Sequence, residues 1–439
     1  MSSPLDSTPI KPHDQPQTPG RDQRHMTDDQ SLPPGRSYNL ASKEVKKAKI
    51  GRLILSNGTV LEGYMIGDHC RARGELVFTT SLVGYSESLT DPSYFGQILT
   101  FAYPLIGNYG IPEMTTDISD LPPPGYESNT IHASGVIINA TSDRTFHWRS
   151  LENLDSWLQR HGVPGLYQID TRHLIHVIRE NTPLLGRIEP MKNPGAKERA
   201  LAGWSPPEGD FFDASEHLIL PYVSRQEPML YQPSLKQSKT PRVCLVDCGV
   251  KNHIVRELLR HGCEVLCVPW NTCFDTIDCS GWLISNGPGD PAYGSSLISE
   301  IKKLLTESRP ILGICLGHQL LGLAAGMLCE RMTFGHRSHN QPVYEVGEKK
   351  CYMTSQNHGF HLIEDLNWPC DWQVWFRNAN DQSIEGIRHK SKPFRSVQFH
   401  PEASSGPQDT SWIIEDFAQE LAASLSQPTV SHDLKDTYE

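Results

Sequence analysis

The stretch Ile311-Leu312-Gly313-Ile314-Cys315-Leu316-Gly317-His318-Gln319 decides how the second half of this chain folds. Its first four residues suit a short buried strand, and an apolar helix is predicted to follow over Leu316–Met327. A cysteine at such a strand-to-helix turn is forced into strained backbone geometry, and the glycines two positions to either side remove Cβ atoms that would collide. The pattern predicts that Cys315 projects at the carboxyl end of a sheet, where open α/β sheets bind ligands.

Strands and helices alternate around this turn. Short and fully apolar strands of this kind are typical of a parallel sheet covered on both faces. We therefore predict an α/β fold for residues 241–425, with an open and mostly parallel sheet covered by helices. The predicted strands are Val243–Val246, Val265–Val268, Gly281–Ser285, Ile311–Ile314, Val374–Phe376, Ile384–Ile387 and Val397–Phe399, and the other predicted helices are Asn252–His261 and Ser296–Leu305.

Residues 50–190 show a second pattern, which is richer in strands. Asn57-Gly58 between two apolar runs is a typical hairpin turn. Together these features predict a smaller mixed β/α domain that precedes the sheet. Its predicted strands are Leu53–Leu55, Val60–Leu61, Leu76–Phe78, Ile98–Phe101 and Gly135–Ile138, and helical spacing appears at Leu151, Leu154 and Leu158 and at Leu174, Val177 and Ile178.

Three segments lack sustained periodicity. Residues 1–49 are rich in Pro, Ser, Asp and Gln and are predicted to be a disordered polar leader. The leader contains no apolar core of a secretory signal, and its five aspartates argue against a mitochondrial presequence, so we predict a cytoplasmic location. Residues 191–240 are predicted to be a connector, apart from the apolar run Leu218–Val223, and residues 426–439 a polar tail.

Composition excludes several classes of function. The chain has 439 residues and a net charge of −11, which argues against a protein held to nucleic acid by phosphate contacts. No apolar run approaches the ~18 residues that a membrane span requires. The eleven cysteines include no C-x-x-C pair, so we predict neither a zinc ribbon nor a thioredoxin-type motif, and no metal site. Most of them read as small buried residues in a reducing compartment.

The position of Cys315 suits a nucleophile. A helix N-terminus stabilises the thiolate, which is the attacking form of cysteine. The amide of Leu316 is free to hold a developing oxyanion. The alternative is a buried structural cysteine in a tight turn, and the flanking glycines count against it.

A nucleophilic cysteine needs a base and a group that orients the base. The predicted strand before His400-Pro401-Glu402 ends at the same sheet edge as Cys315, and the rigid Pro401 lets both flanking side chains project there. Glu402 would accept the imidazole N–H and set its tautomer. By itself an H-x-E sequence is usually a surface turn, so the interpretation depends on its combination with Cys315.

A rigid loop, Ser285-Asn286-Gly287-Pro288-Gly289-Asp290-Pro291, directly follows another apolar strand. Its free amides suit a second oxyanion donor at Gly289. An ordinary Gly/Pro turn is an equally good interpretation of this loop taken alone.

The motifs G-I-C-L-G-H-Q, S-N-G-P-G-D-P and F-H-P-E together resemble the class I (triad) glutamine amidotransferases. Ser355-Gln356-Asn357-His358-Gly359-Phe360 narrows the resemblance to the small, glutamine-hydrolysing subunit of carbamoyl-phosphate synthetase. In the first half, segments such as Leu89-Thr90-Asp91-Pro92-Ser93-Tyr94 and Ile169-Asp170-Thr171-Arg172 resemble the N-terminal domain of that subunit. The resemblance covers residues 50–425, with two departures. Gln168 lies where the family usually has a small residue, often glycine, and Ser338 lies where it usually has glycine.

The resemblance implies a catalytic triad of Cys315, His400 and Glu402. It also implies a glutamine site that spans the interface between the two domains, which is a common place for ligands. Ser93 and Asn357 could instead be simple turn residues, as could Gly359. The implied L-glutamine site comprises Ser93, Gly287, Gly289, Leu316, Gln319, Asn357, Gly359 and Phe360.

The implied activity is the hydrolysis of glutamine and the transfer of ammonia to a synthetase that makes carbamoyl phosphate from bicarbonate and ATP. This chain has no G-x-x-x-x-G-K-S/T motif, so we expect ATP and Mg²⁺ on the synthetase, either a large subunit or fused domains, and no cofactor here. One alternative is a regulatory or scaffolding subunit without glutaminase activity, against which the intact triad argues. Another is a free-standing thiol hydrolase acting on γ-glutamyl peptides, which leaves residues 50–190 unexplained.

Overall fold

The computed structural model describes residues 49–114, 121, 123–142, 144–201, 203–204, 206–234 and 240–425. The predicted polar tail and, apart from Lys49, the predicted leader lie outside these residues. The predicted boundaries of the two domains and the connector stay predictions.

A closed barrel of seven strands, in the order β1-β11-β3-β4-β7-β10-β2, forms the first half of the described chain. Its interior is filled by aliphatic side chains such as Leu53, Leu76 and Ile188, all almost completely buried. The elements of this half are β1 (Ile50–Leu55), β2 (Val60–Gly67), β3 (Ala72–Thr79), α1 (Tyr85–Thr90), β4 (Gln97–Phe101), β5 (Leu105–Ile106), β6 (Ile111–Pro112), β7 (Gly135–Ile137), β8 (Ala140–Thr141), β9 (Ser150–Glu152), α2 (Leu154–Arg160), β10 (Pro164–Tyr167), α3 (Thr171–Glu180) and β11 (Leu185–Pro190).

The predicted hairpin and both helical segments of this half are present. Helix α2 begins only at Leu154, because the Asn153 side chain accepts a hydrogen bond from the Ser156 amide and caps the helix there. Leu151, which the spacing placed on the helix, lies in β9. Gln168 has a φ of 62°, a conformation that glycine adopts freely, which fits the small residue, often glycine, that the resemblance implies at this position.

A sheet of ten strands forms the second half, in the order β12-β14-β13-β15-β16-β21-β20-β19-β17-β18. Its elements are α4 (Leu220–Val223), β12 (Met229–Tyr231), β13 (Arg242–Asp247), α5 (Asn252–Arg260), β14 (Glu264–Pro269), β15 (Gly281–Ile284), α6 (Ser295–Leu304), β16 (Ile311–Ile314), α7 (Leu316–Ala324), β17 (Leu328–Glu345), β18 (Cys351–Ile363), β19 (Trp372–Asn378), β20 (Ile384–His389), β21 (Phe394–Val397) and α8 (Trp412–Ser424).

Five neighbouring strands, β14, β13, β15, β16 and β21, are parallel, as the alternation of strands and helices predicted. Helices α5 and α8 pack on one face of the sheet and α6 and α7 on the other, so both faces are covered. The other five strands pair antiparallel, which makes the sheet mixed over its full width. Strand β21 ends at Val397, two residues earlier than Phe399, where the predicted strand ended.

The predicted connector carries its own structure where it is described. Strand β12 adds to the edge of the large sheet, beside β14. Trp204, Phe212 and Ile219 form a small apolar cluster with Phe95 of the barrel half. The segment therefore packs against both halves.

All eleven cysteines are free thiols, and five are buried, three are half-buried and three are exposed, so the prediction that most of them are buried is wrong. Among the helices of the described ranges, none has the length and apolar character needed to cross a membrane.

Candidate active site

Cys315 lies between β16 and α7, at the cap position of the helix, with φ 54° and ψ −103°. This confirms the predicted strained turn, and such a conformation costs about 1–3 kcal/mol in a non-glycine residue. A Cβ atom on Gly313 would lie 2.6 Å from the carbonyl oxygen of Gly317, and one on Gly317 would lie 2.1 Å from that of Ile284. Neighbouring backbone atoms approach both positions so closely that only glycine fits there.

The thiol of Cys315 is buried, with 2% of the residue exposed, but it faces polar groups. Its Sγ lies 3.7 Å from the carbonyl oxygen of Asn357 and 3.7 Å from Nε2 of Gln398. Cys315 also lines a cavity of about 550 Å³, a volume that includes solvent at the mouth. Cys315 also belongs to the apolar cluster on one face of the sheet, so one side of the residue packs in the core while another lines the cavity.

His400 lies just beyond β21 and is held by strand β18, because its amide donates to the carbonyl oxygen of Ser355 over 2.9 Å. Its Nδ1 lies 2.7 Å from Oε1 of Glu402. Its Nε2 is buried and has no hydrogen-bond partner within the described part of the chain. Burial lowers the pKa of His400, but the carboxylate of Glu402 and the neighbouring Cys315 outweigh it, and the pKa rises to about 10. His400 is therefore an imidazolium at neutral pH.

Glu402 is fully buried and is held by two cations. Besides His400, the Nζ atom of Lys251 lies 3.0 Å from its Oε1. Burial raises the pKa of Glu402, but Lys251 and His400 together hold it well below its usual range. Lys251 also lies 3.7 Å from Oε1 of Glu127, a residue of the barrel half. Through Lys251 the carboxylate of Glu402 is thus linked to both halves of the molecule.

Sequence reasoning missed Lys251. It follows β13 within Asp247-Cys248-Gly249-Val250-Lys251, which resembles an ordinary loop into a helix. Its side chain is 7% exposed, and burying a lysine this deeply requires anionic partners that only the folded structure reveals.

We expect Lys251→Met to lower the free energy of unfolding by about 3–5 kcal/mol, because removing one member of a buried ion pair leaves its partners uncompensated. Urea denaturation of the full chain measures this loss. Lys303→Met is the matched control, since Lys303 pairs with Asp275 at 3.1 Å on the exposed surface. Equal losses in the two variants would contradict a structural role for the buried pair.

Seven of the eight predicted glutamine-site residues line the same cavity as Cys315. The eighth, Leu316, lies outside this lining and presents one of the amides that a helix N-terminus leaves without an intrahelical partner. The seven are Ser93, Gly287, Gly289, Gln319, Asn357, Gly359 and Phe360.

Ser93 does reach across from the barrel half. Its Oγ accepts a hydrogen bond from Nδ2 of Asn286 over 3.0 Å, on the loop that follows β15. Asn357 makes a second crossing contact, through its Nδ2, with Oδ2 of Asp91 at 3.3 Å. Asn357 and Gly359 lie within strand β18, so they do not form a turn.

Gln319 points toward the cavity, one helical turn beyond Cys315. Its Nε2 donates to the carbonyl oxygen of Phe360 over 3.0 Å and to Oε1 of Gln398 over 3.1 Å. Gln398 in turn directs its Nε2 at Sγ of Cys315, and it is completely buried. Sequence reasoning did not select Gln398, although a glutamine in the apolar run Val397-Gln398-Phe399 was a signal that it needed a polar partner.

One group of side chains could in principle hold a metal ion among the described residues. Ligand atoms of His336, His358 and Glu385 lie within 4.8 Å of one another. These atoms are engaged in hydrogen bonds, since His336 Nδ1 lies 2.9 Å from Oε1 of Gln356 and 3.2 Å from Oε1 of Glu385. We propose no metal at this cluster.

Comparison with known proteins assigns both halves of the chain. Residues 53–188 match the family model described as carbamoyl-phosphate synthase small chain, CPSase domain, and residues 244–420 match the model described as glutamine amidotransferase class-I. Residues 53–188 are therefore a carbamoyl-phosphate synthase small-chain domain. The second half of the chain is a class-I glutamine amidotransferase domain.

Three curated relatives illustrate the similarity. Multifunctional protein CAD of Squalus acanthias is 44% identical over 359 residues, or 81% of this chain and 15% of that protein. Multifunctional protein pyrABCN of Emericella nidulans is 40% identical over 425 residues, covering 91% of this chain and 19% of that protein. The human Carbamoyl-phosphate synthase (ammonia), mitochondrial, is 40% identical over 374 residues, covering 84% and 24% respectively. The chain thus spans less than a quarter of the length of these relatives.

Proposed function

We propose that this chain hydrolyses L-glutamine to glutamate and ammonia as the glutaminase component of a glutamine-dependent carbamoyl-phosphate synthetase. The observation that carries the proposal is the grouping of Cys315 with the His400–Glu402 pair. A strained thiol faces a cavity at a helix N-terminus. Cys315 is an electrostatic neighbour of His400, whose Nδ1 lies 2.7 Å from Oε1 of the buried Glu402. This arrangement suits nucleophilic acyl transfer.

In the first step the thiolate of Cys315 attacks the side-chain amide carbon of glutamine. A C–S bond forms, and the amide oxygen becomes an oxyanion that the Leu316 amide stabilises, with Gly289 as the second donor. His400 then donates its proton to the leaving nitrogen as the C–N bond breaks, which releases ammonia and leaves a γ-glutamyl thioester.

In the second step water attacks the thioester. His400, now neutral, accepts the proton of the attacking water, and a second oxyanion forms at the same position. Collapse of this intermediate breaks the C–S bond, releases glutamate and restores the thiolate–imidazolium pair. Glu402 stabilises the imidazolium each time it forms.

The ammonia would pass to a synthetase partner, either a large subunit or domains fused to this one, which binds ATP and Mg²⁺. The matched relatives support this, because one is named carbamoyl-phosphate synthase and the others are named multifunctional proteins. A cytoplasmic location for the complex remains a prediction.

The pKa of His400 sets the expected pH dependence. Because the folded pKa is raised from 6.5 to about 10, the imidazolium is present below pH 10 and is lost as the pH rises through that value. We expect kcat for glutamate release to fall as the pH rises through the pKa of His400, since the proton donor for ammonia is lost. In Glu402→Gln this fall in kcat should occur at lower pH, because the carboxylate that raises the pKa of His400 is gone.

A series of kcat measurements from pH 6 to 10.5 on the wild type and on Glu402→Gln tests this dependence. Two results would contradict the assignment of His400 as the proton donor. One is a wild-type kcat that already falls near pH 6.5, and the other is a fall in kcat that occurs at the same pH in Glu402→Gln as in the wild type.

The proposed activity itself is tested by glutamate release from L-glutamine, with the full chain alone and with its synthetase partner. We expect release in the complex. Its absence in both preparations would favour a scaffolding subunit instead. A high rate on γ-glutamyl peptides that the partner does not change would favour a free-standing thiol hydrolase.

A further inference from the structure

The charged side chains that line the Cys315 cavity differ in whether another side chain neutralises them. Arg331 is neutralised by two carboxylates, with Glu75 Oε1 2.7 Å from its Nη2 and Asp213 Oδ2 3.1 Å from its Nη1. The other carboxylate oxygen of Glu75 accepts a hydrogen bond from Gln97 over 2.8 Å. Burial lowers the pKa of His358 well below its ordinary value, so that ring is neutral. These groups therefore offer no net positive charge to a ligand.

Arg337 is the exception in this lining. Within the part of the chain that the structure describes, no hydrogen bond or ion pair engages its guanidinium, and its buried Nε lacks a partner. An arginine in a half-buried position without a counter-ion has lost hydration that no protein group replaces. A carboxylate would supply the missing partner, because the planar guanidinium binds that group through two parallel hydrogen bonds.

The backbone places Arg337 opposite a residue that contacts Cys315. Arg337 pairs with Asn357 across strands β17 and β18, and the carbonyl oxygen of Asn357 lies 3.7 Å from Sγ of Cys315. Irregularities in the register lie on both sides of this pair, between Arg331 and His336 and between Ser338 and Gln341. Bulges of this kind re-aim side chains beside active sites.

Two glycines make room for the guanidinium. A Cβ atom on Gly335 would lie 2.2 Å from Nη1 of Arg337, and one on Gly359 would lie 3.1 Å from Nη2. Gly359 is itself a predicted glutamine-site residue. The guanidinium therefore lies over a part of β18 that lines the ligand cavity.

We propose that Arg337 binds the α-carboxylate of the substrate and so determines specificity for an α-amino acid amide. This inference rests on the proposed function, since it assigns one group of glutamine to one side chain. The amide to be cleaved lies at the other end of the same small molecule, near Cys315. Arg337 does not take part in the bond-making steps.

The test compares L-glutamine with 4-aminobutanamide, which is glutamine without its α-carboxylate, by ammonia release from the full chain. Arg337→Gln should raise KM for L-glutamine about 10- to 100-fold, as expected for a lost charged hydrogen bond, and leave kcat nearly unchanged. Both proteins should handle 4-aminobutanamide alike, by kcat/KM or by its inhibition constant against glutamine. Arg337→Lys should recover part of the loss.

Arg149→Gln is the matched control, because Arg149 is exposed on the barrel half and stacks on Trp148, outside this cavity. An unchanged KM in Arg337→Gln, or an equal loss on both substrates, would overturn the inference and assign Arg337 a packing role. If the wild type released no ammonia from L-glutamine, the proposed function would fail and this inference with it. If the wild type is active, only the inference about Arg337 is at stake.

Discussion

Cys315→Ser is expected to reduce glutamate release from L-glutamine by about 10⁴-fold or more, because it removes the nucleophile on which both halves of the reaction depend. Carbamoyl phosphate synthesis from added ammonia should continue, since ammonia bypasses the thiol. The serine hydroxyl is close to the thiol in size, and the strained turn and its glycines are retained. The loss should therefore be chemical, with little change in the free energy of unfolding.

The measurement pairs glutamate release with ammonia-dependent synthesis in the same complex. Cys370→Ser is the control, because Cys370 is exposed and lies outside the cavity lining. Loss of both activities in Cys315→Ser would show that the residue is structural. Retention of glutamine-dependent synthesis would show that another group attacks the amide.

His400→Asn is expected to lower kcat for glutamate release by about 10³-fold or more, because asparagine neither protonates the departing ammonia nor accepts the proton of the attacking water. Asparagine can still hydrogen-bond to Glu402, so the fold should persist. Glu402→Gln should cost less, because an orienting group contributes less than the acid–base itself. Synthesis from ammonia should again be retained in both variants.

His176→Asn is the control for this series, since His176 is exposed on α3 and lines neither the cavity that contains Cys315 nor the one that contains His400. A Glu402→Gln variant that is more severely impaired than His400→Asn would contradict the assigned roles. So would a His400→Asn variant with wild-type kcat.

The local parts of the site could be predicted from sequence. The turn at Cys315 depends on neighbours two residues away, Gly313 and Gly317, and on the apolar character of β16 and α7. His400 and Glu402 are also two residues apart, so their hydrogen bond is a short-range feature. The parallel half of the sheet followed from its short, fully apolar strands, which leave little ambiguity.

The long-range parts could not be predicted. Lys251 forms an ion pair with Glu402, and Gln398 contacts Cys315. Both contacts depend on which strands become neighbours in the sheet. The antiparallel half of the sheet could not be predicted from the sequence either. Strand β17 carries charged and polar residues such as Arg331 and His336, and bulges break its two-residue alternation of buried and exposed side chains. The free guanidinium of Arg337 is visible only once every other charge in the cavity has a partner.

The central claim, that Cys315 forms a covalent bond with the γ-carbonyl carbon of glutamine, is tested most directly by trapping the thioester. Radiolabelled L-glutamine is mixed with the complex, which is quenched in acid during turnover and digested. We predict label on the peptide that contains Cys315, removed by hydroxylamine and absent in Cys315→Ser. Turnover of glutamine with no label on that peptide in the wild type, or the same label in Cys315→Ser, would contradict the account.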